Sequence, residues 1–205
     1  MDPFFKKKKY VVKDLVDKEY IHWATKYYDI KLNVEKSFKH GAKNDVVRPD
    51  SLVLGNDSLA YALLISLTPK MEEIVDKKLF PTYSYTRAYL DGQRLITHND
   101  RPSCEYSITL PVCGPEWPLL IYQEKTWNEI NITPGQGLIY KGQELPHRRK
   151  PLVEGGPIVQ LHLHYVDAEG PHSEWKFDKG FREKAYAEST PFFTMSDRSE
   201  HISFS

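Results

Sequence analysis

Residues 82–100 read TYSYTRAYLDGQRLITHND, and this stretch decides how the rest of the chain is interpreted. Its first half is rich in tyrosine and threonine, which is typical of a β-strand, and Asp91 and Gly92 then indicate a turn. It ends in His98 and Asp100, whose side chains point to the same side of an extended backbone. The imidazole and the carboxylate could therefore hold one metal ion.

The His98-x-Asp100 pair alone is a weak indication of a metal site, and a second histidine strengthens it. His147 follows a short predicted strand bracketed by glycines, residues 134–142, which read PGQGLIYKG. Two imidazoles and one carboxylate cover one face of an octahedral ion and leave the other face open, as in non-haem Fe(II) sites that bind a co-substrate and O₂. On spacing alone, however, both histidines are equally compatible with ordinary loop positions.

Composition narrows the class of protein. The chain has 205 residues, enough for one compact domain, and its 28 Lys and Arg balance its 28 Asp and Glu. Nothing in this charge indicates a nucleic-acid or membrane partner. Cys104 and Cys113 lie in one predicted strand that cannot fold back to join them, so we expect reduced thiols and a cytoplasmic setting. We recognise no signal peptide, and the longest apolar run, residues 59–67, is too short to span a bilayer.

The first 80 residues read as a helical buttress. Within residues 12–31, apolar and aromatic side chains recur every three to four positions, as one helix face requires, at Val12, Val16, Tyr20, Trp23 and Tyr27. Asp57 can cap a helix that opens near Leu59, and Pro69 can begin another.

After Pro81 the pattern changes to short strands. Turn signals separate runs of strand-forming residues at positions 82–90, 104–112, 119–123, 137–140 and 158–166. This spacing predicts a jelly-roll core over residues 81–178, followed by loops and a tail over 179–205. We therefore expect one α+β, mainly β, domain spanning residues 1–205, with the N-terminal helices supporting one sheet of the core.

The segment from Tyr89 through Gly92 to the His-x-Asp pair resembles the first metal-binding segment of prolyl-hydroxylase-like Fe(II)/2-oxoglutarate dioxygenases. The second segment is similar as well, with Gly142 before His147 and a later strand ending at Asp167, so that the resemblance spans roughly residues 83–167. It implies a double-stranded β-helix that uses Fe(II), 2-oxoglutarate and O₂. It also implies specific roles for four residues: His98, Asp100 and His147 as iron ligands and Tyr89 near 2-oxoglutarate.

The resemblance further implies a hydroxylase. Halogenating relatives replace the carboxylate ligand with a small residue, and this chain keeps Asp100. The substrate stays open between a small molecule and a peptidyl group, and the oligomeric state is not readable from the sequence.

One position departs from the family pattern. Such enzymes hold the distal carboxylate of 2-oxoglutarate with an Arg or Lys at the start of the last strand, where this chain has Ile158. We expect Arg87 to replace it, because Arg87 shares a strand face with Tyr89 and a guanidinium can bind a carboxylate through two parallel hydrogen bonds. His162 is a further candidate contact. Arg148 and Arg149, directly after the second histidine ligand, compete for the role.

Two other functions remain compatible with the sequence. In residues 158–165 the odd positions are apolar and the even ones polar, so that Gln160, His162 and His164 are predicted to line the interior. A cupin-like metal enzyme without 2-oxoglutarate could then use His98, His162 and His164. Alternatively, the missing basic residue at Ile158 would suit a non-catalytic jelly-roll binding protein that retains the triad.

Overall fold

The computed structural model describes residues 1–41, 51–55 and 57–178, so the predicted tail lies outside the described residues. Within these ranges the helices are α1 (Pro3–Lys8), α2 (Lys18–Asp29), α3 (Ser58–Ser66) and α4 (Thr68–Val75). The strands are β1 (Tyr10–Asp14), β2 (Lys39–His40), β3 (Leu52–Leu54), β4 (Leu79–Tyr89), β5 (Leu95–His98), β6 (Tyr106–Cys113), β7 (Leu119–Gln123), β8 (Thr126–Ile130), β9 (Gln136–Tyr140), β10 (His147–Arg149) and β11 (Ile158–Asp167).

The strands form two antiparallel sheets that face each other. The larger has the order β1-β9-β6-β11-β4-β3-β2, and the smaller has the order β5-β10-β7-β8. Neighbours in each sheet are often distant in sequence, which is typical of strands that wind alternately between two sheets. The predicted double-stranded β-helix, in an α+β and mainly β chain, is confirmed.

The central strand β11 shows which side chains the sequence directs between the two sheets. All ten of its residues are buried, because β4 and β6 flank it and both of its faces are covered. Its odd-numbered side chains, such as Leu161 and Tyr165, belong to the apolar core shared with the helices. Its even-numbered polar side chains occupy the opposite face, between the sheets, as the alternation predicts. Gln160 there accepts a hydrogen bond from Thr109 of β6.

The first 80 residues contribute strands as well as helices. β1 pairs with β9 at one edge of the larger sheet, and β3 pairs with β4 at the other. The expectation of a single helix over residues 12–31 was wrong in its first part: Val12 lies in β1, and α2 begins only at Lys18, after its N-cap Asp17. Trp23, predicted on the buried face, is exposed, whereas Ala24 and Tyr28 are buried.

The helices cover the outer face of the larger sheet. α3 packs on β4 and β11, and α4 and α2 contact β4 and β6. As predicted, Asp57 caps α3 through the backbone N–H of Leu59, and Pro69 lies in the first turn of α4. In the part of the chain that the structure describes, no helix combines the length and the apolar composition needed to cross a bilayer.

Asp57 joins the helices to the sheet by more than its cap. Its buried carboxylate accepts hydrogen bonds from the hydroxyls of Tyr27, Tyr28 and Thr86, the last of these on β4. Burial raises the pKa of Tyr28 far above its usual range, so the phenol stays protonated and donates to the carboxylate. One side chain therefore accepts hydrogen bonds from two helices and a strand, and two of the donors, Tyr28 and Thr86, are buried.

Replacing Asp57 with alanine should lower the free energy of unfolding by about 3 kcal/mol, because it removes the helix cap and leaves two buried hydroxyl groups without their acceptor. Urea denaturation followed by circular dichroism would measure the loss. Asp17→Ala is the matched control: Asp17 also caps a helix, but by a single exposed hydrogen bond to the N–H of Tyr20, which is worth about 1 kcal/mol. Equal losses in the two variants would refute a special role for Asp57.

Candidate metal centre

Strand pairing brings the two predicted metal-binding segments together. His98 is the last residue of β5, and His147 is the first residue of β10, directly opposite it in the antiparallel pair. The centroids of the two imidazole rings are 4.2 Å apart. Asp100 follows His98 at the end of the same strand, so a short segment and one strand pair are enough to assemble all three side chains.

The three side chains present one ligand atom each to a common point. Nε2 of His98 and Nε2 of His147 both lie 3.5 Å from Oδ1 of Asp100. The ligand atoms of the group all lie within 4.8 Å of one another. Two imidazoles and a carboxylate are the donors of a facial Fe(II) site.

Backbone carbonyls fix the orientation of both imidazoles. Nδ1 of His98 lies 3.0 Å from the carbonyl oxygen of Ile96, and Nδ1 of His147 lies 2.8 Å from that of Leu145. A proton on each Nδ1 would donate to these carbonyls and leave the Nε2 lone pair for a metal, which is the usual arrangement of histidine ligands. The Nε2 of His98 is buried, and at 3.5 Å from Oδ1 of Asp100 it faces the point where a metal ion would bind.

Asp100 is held as an anion. Burial raises the pKa of its carboxyl, but hydrogen bonding to His147 and His98 outweighs this effect and keeps the pKa well below the usual range. Oδ2 accepts a hydrogen bond of 3.1 Å from the hydroxyl of Ser107 on β6, and the backbone N–H donates to the carbonyl of Gly142. The two carboxylate oxygens therefore face different partners.

Gly142 makes room for this carboxylate. A Cβ atom at position 142 would lie 2.1 Å from Oδ2 of Asp100 and 2.8 Å from its Cγ, closer than non-bonded atoms approach. The glycine before the second histidine is thus required by the packing of the aspartate.

Arg149 lies deep between the sheets, on the same face of β10 as His147. Its side chain is only 3% exposed, lies over the ring of Trp117 and donates hydrogen bonds to the Trp117 carbonyl and to Thr109. Burial lowers its pKa to about 10. Within the described ranges, none of its hydrogen-bond partners is a carboxylate.

The neighbours of Arg149 include the predicted co-substrate residue Tyr89. Its ring packs edge-on against Trp117 at 4.8 Å between centroids, in a small buried cluster that also contains Leu152 and Ile158. Ile158 is the direct partner of Tyr89 across the β4–β11 pair. Arg149 therefore approaches, from a different strand, the region where the resemblance implies a basic residue at position 158.

The other arginine candidates occupy different places. Arg87 shares a face of β4 with Tyr89, as predicted, but it donates to the hydroxyl of Ser51 and lies over the ring of Tyr85. Arg148 points away from the interior, and its guanidinium lies over the ring of Trp127. The structure thus separates the two adjacent arginines, which sequence spacing alone did not.

A cavity of about 470 Å³ opens beside the triad. Its lining includes His98 and Asp100 together with Tyr83, Arg87, Arg101 and Cys104. His162 stacks on Tyr85 at 4.7 Å between ring centroids. Among the described residues, the groups close enough to hold a metal do not combine His98 with His162 and His164, so the cupin-like set is not brought together.

Two interior residues were not singled out from the sequence. Ser107 and Thr109 of β6 point between the sheets, because they pair with the interior positions His164 and His162 of β11. The alternation of β6 left its two faces equivalent, and only its register with β11 distinguishes them.

No protein-family model matches this sequence, and no curated protein sequence matches it. Solved structures do match. A prolyl-4-hydroxylase from Pseudomonas putida is 10% identical with a TM-score of 0.64, over 79% of this chain and 95% of that chain. A prolyl hydroxylase from Trichoplax adhaerens, in complex with a peptide fragment of the hypoxia inducible factor oxygen degradation domain, is 16% identical with a TM-score of 0.61, over 91% and 89%.

A third match is HygX from Streptomyces hygroscopicus, solved with nickel, 2-oxoglutarate and hygromycin B bound. It is 10% identical with a TM-score of 0.64, over 81% of this chain and 86% of that chain. Identities this low establish the architecture only. The chain has the jelly-roll fold of the prolyl-hydroxylase-like 2-oxoglutarate and Fe(II) oxygenases.

Proposed function

We propose that this protein is an Fe(II)- and 2-oxoglutarate-dependent oxygenase that hydroxylates a substrate C–H bond. The observation that carries the proposal is the geometry of His98, Asp100 and His147, with both Nε2 atoms turned toward one carboxylate oxygen. Both imidazoles are locked by backbone carbonyls, so the site is arranged before any ion binds. The jelly-roll architecture that it shares with known oxygenases of this class supports the same function.

The residues around the triad suit a dicarboxylate co-substrate. Arg149 is a buried cation whose hydrogen-bond partners in the described part of the chain are neutral, and an isolated buried charge is costly. An anion would offset that cost. Two residues along a strand span roughly 7 Å. The separation of His147 and Arg149 along β10 is therefore comparable to the length of a five-carbon diacid. We therefore propose Arg149 as the anchor for the distal carboxylate of 2-oxoglutarate.

In the proposal, Tyr89 and Thr109 line the pocket for the distal carboxylate together with Arg149. Thr109 contacts both Arg149 and Gln160 through its hydroxyl. Tyr89 packs against Trp117, and the Arg149 guanidinium lies over the ring of the same tryptophan. Ile158, fully buried beside Tyr89, then serves only as packing. Arg87 and His162 flank Tyr85 nearer the cavity, where we expect them to contact substrate or the outer side of the co-substrate.

With Fe(II) and 2-oxoglutarate bound, the centre would supply the oxidation of an unactivated C–H bond by O₂. The chain's own residues hold the ion on one side, fix both imidazole rings and keep Asp100 ionised. The buried position of Arg149 and Tyr89 excludes water from the co-substrate end. The cavity beside the triad leaves room for the substrate, which we propose to be a small molecule or a peptidyl group.

The proposal is tested by titrating 2-oxoglutarate into Fe(II)-loaded protein under argon. The expected result is the weak visible charge-transfer band of the chelate, followed by release of CO₂ when O₂ is admitted. Asp100→Ala should abolish both signals, because it removes a ligand and leaves the two imidazoles without their shared partner. Asp14→Ala, which changes an exposed carboxylate on β1, should retain both.

A colourless wild-type protein that binds Fe(II) would instead support the non-catalytic binding protein. Full CO₂ release by Asp100→Ala would contradict the role assigned to the triad.

A further inference from the structure

A second set of potential metal ligands lies beside the triad. Asp100, Cys104 and His164 each offer one ligand atom, and these atoms all lie within 4.8 Å of one another. Cys104 and His164 are both only 2% exposed, and both line the cavity beside the triad. Thiol, imidazole and carboxylate groups lose hydration on burial, and a metal ion bound by all three would offset that cost.

The fold assembles this set from separate segments. Cys104 ends the short helical turn Pro102–Cys104 that directly follows Asp100, and this turn contacts β11. His164 is an interior residue of β11 and lies opposite Ser107 of β6. The close approach of Cys104 to His164 therefore results from tertiary packing and not from a local sequence pattern.

The two carboxylate oxygens of Asp100 face different partners. Oδ1 faces the two triad imidazoles at 3.5 Å. Oδ2 accepts from the hydroxyl of Ser107, and that hydroxyl also lies 3.0 Å from Nδ1 of His164. Carboxylates bind metal ions through either or both oxygens, so the two sets can share Asp100 without sharing a ligand atom.

The chemistry of the two sets differs. The triad has only nitrogen and oxygen donors, which suit Fe(II), whereas Cys104 adds a soft sulfur donor. Sulfur, imidazole and carboxylate together are typical ligands of Zn²⁺, at about 2.0–2.3 Å from the ion. A metal that binds Cys104 must displace the thiol proton, since the thiolate is the ligand.

We propose that Asp100, Cys104 and His164 form a second site for a thiophilic divalent cation such as Zn²⁺, distinct from the His98–Asp100–His147 triad. A cation there would occupy part of the cavity and engage Oδ2 of Asp100. It would therefore obstruct the space proposed for substrate. The site itself does not depend on the oxygenase function, because binding can be measured without co-substrate or turnover.

Cobalt is the probe, because Co²⁺ replaces Zn²⁺ and gives a sulfur-to-metal charge-transfer band in the near ultraviolet only when a thiolate binds it. Metal-free protein would be titrated with CoCl₂ under argon. The His147→Ala variant is titrated in parallel, since it disables the triad and leaves the proposed site complete. We expect the thiolate band in both proteins, with one Co²⁺ per chain at saturation in His147→Ala.

Two variants test the ligands, and the chain supplies a matched control. In the His147→Ala background, Cys104→Ser and His164→Gln should each lose the band and bind Cd²⁺ at least about tenfold more weakly, because even outer-shell substitutions cost about 10–100-fold. Cys113→Ser should keep both the band and the affinity, since Cys113 is the second cysteine of the chain and lies outside the site.

The proposal is overturned if no thiolate band forms in wild type or in His147→Ala. It is also overturned if the band survives Cys104→Ser or disappears in Cys113→Ser, because the sulfur would then be the wrong one. Loss in Cys104→Ser but not in His164→Gln removes His164 from the site and contradicts the three-ligand set. None of these results bears on 2-oxoglutarate turnover, so failure here leaves the proposed function untouched.

Discussion

Replacing Arg149 with leucine should weaken the binding of 2-oxoglutarate by about 3 kcal/mol, or roughly 100-fold, while leaving metal affinity nearly unchanged. The reason is that Arg149 is buried over the ring of Trp117, and its hydrogen bonds go to the Trp117 carbonyl and to Thr109, outside the triad. Truncating one partner of a desolvated charge pair leaves the other charge buried and unpaired. Calorimetric titration of 2-oxoglutarate into Ni²⁺-loaded protein would measure the change without turnover.

Unfolding cannot account for the predicted loss. Burial lowers the pKa of Arg149, which means that the folded protein without ligand disfavours this charge. Removal of the disfavoured charge should offset the loss of the two hydrogen bonds, so the ligand-free leucine variant should unfold at about the same temperature as wild type. Added 2-oxoglutarate should raise the unfolding temperature of wild type and not that of the variant.

Arg148→Leu is the matched control, because its guanidinium lies over Trp127 on the outer side of the same strand. It should bind 2-oxoglutarate as wild type does. The double variant Arg149→Leu with Ile158→Arg should recover part of the affinity, since it moves the guanidinium to the position that the family resemblance implies. A larger loss in Arg87→Leu than in Arg149→Leu would assign the anchor to Arg87 instead.

The sequence predicted part of the grouping of His98, Asp100 and His147. His98 is the last residue of β5, and Asp100 lies two residues farther along the chain, where its backbone N–H donates to the carbonyl of Gly142. The short spacing of the two residues is a property of the sequence. His147 required a second, distant segment, and spacing alone did not distinguish it from a loop histidine. Its pairing with His98 across β5 and β10 is a property of the fold, and it is this register that brings the two rings to 4.2 Å.

The interior position of Arg149 follows from the alternation of β10. If His147 faces the interior as a ligand, then the residue two positions later, Arg149, must face it as well, and Arg148 must not. That parity was available from the sequence. The preference for Arg87 rests on its shared face with Tyr89, which the structure also has. Arg87 is buried as well, and its role as the anchor stays a prediction.

The strands of the first 80 residues were missed for a different reason. β1 has five residues and β3 has three, and each is stabilised by pairing with a strand far away in sequence. Short segments of this kind carry no reliable periodicity, so their pairing partners decide the conformation. Counting the helical period from Val12 rather than from the cap at Asp17 then misplaced Trp23 on the buried face.

Gly142→Ala should weaken the binding of Fe(II) by about 10–100-fold, although the substitution adds only one methyl group and touches no ligand of the triad except through packing. The new Cβ would lie 2.1 Å from Oδ2, 2.8 Å from Cγ and 2.9 Å from Cβ of Asp100, so the whole carboxylate must move. Asp100 cannot shift freely as a whole, because its backbone N–H donates a hydrogen bond to the carbonyl of Gly142, the residue that carries the new methyl group. Oδ1 then leaves its position between the two Nε2 atoms.

The measurement for Gly142→Ala is anaerobic Fe(II) affinity, with Mn²⁺ as a second probe, alongside the urea midpoint of the metal-free protein. Gly55→Ala is the control, since a Cβ at position 55 would meet no atom within 4 Å, and we expect wild-type affinity from it. Unchanged metal affinity in Gly142→Ala would mean that the loop before His147 shifts to accept the methyl group. The aspartate ligand would then be positioned by Ser107 and the two histidines alone, and the glycine ahead of the second histidine would have no part in holding the ion.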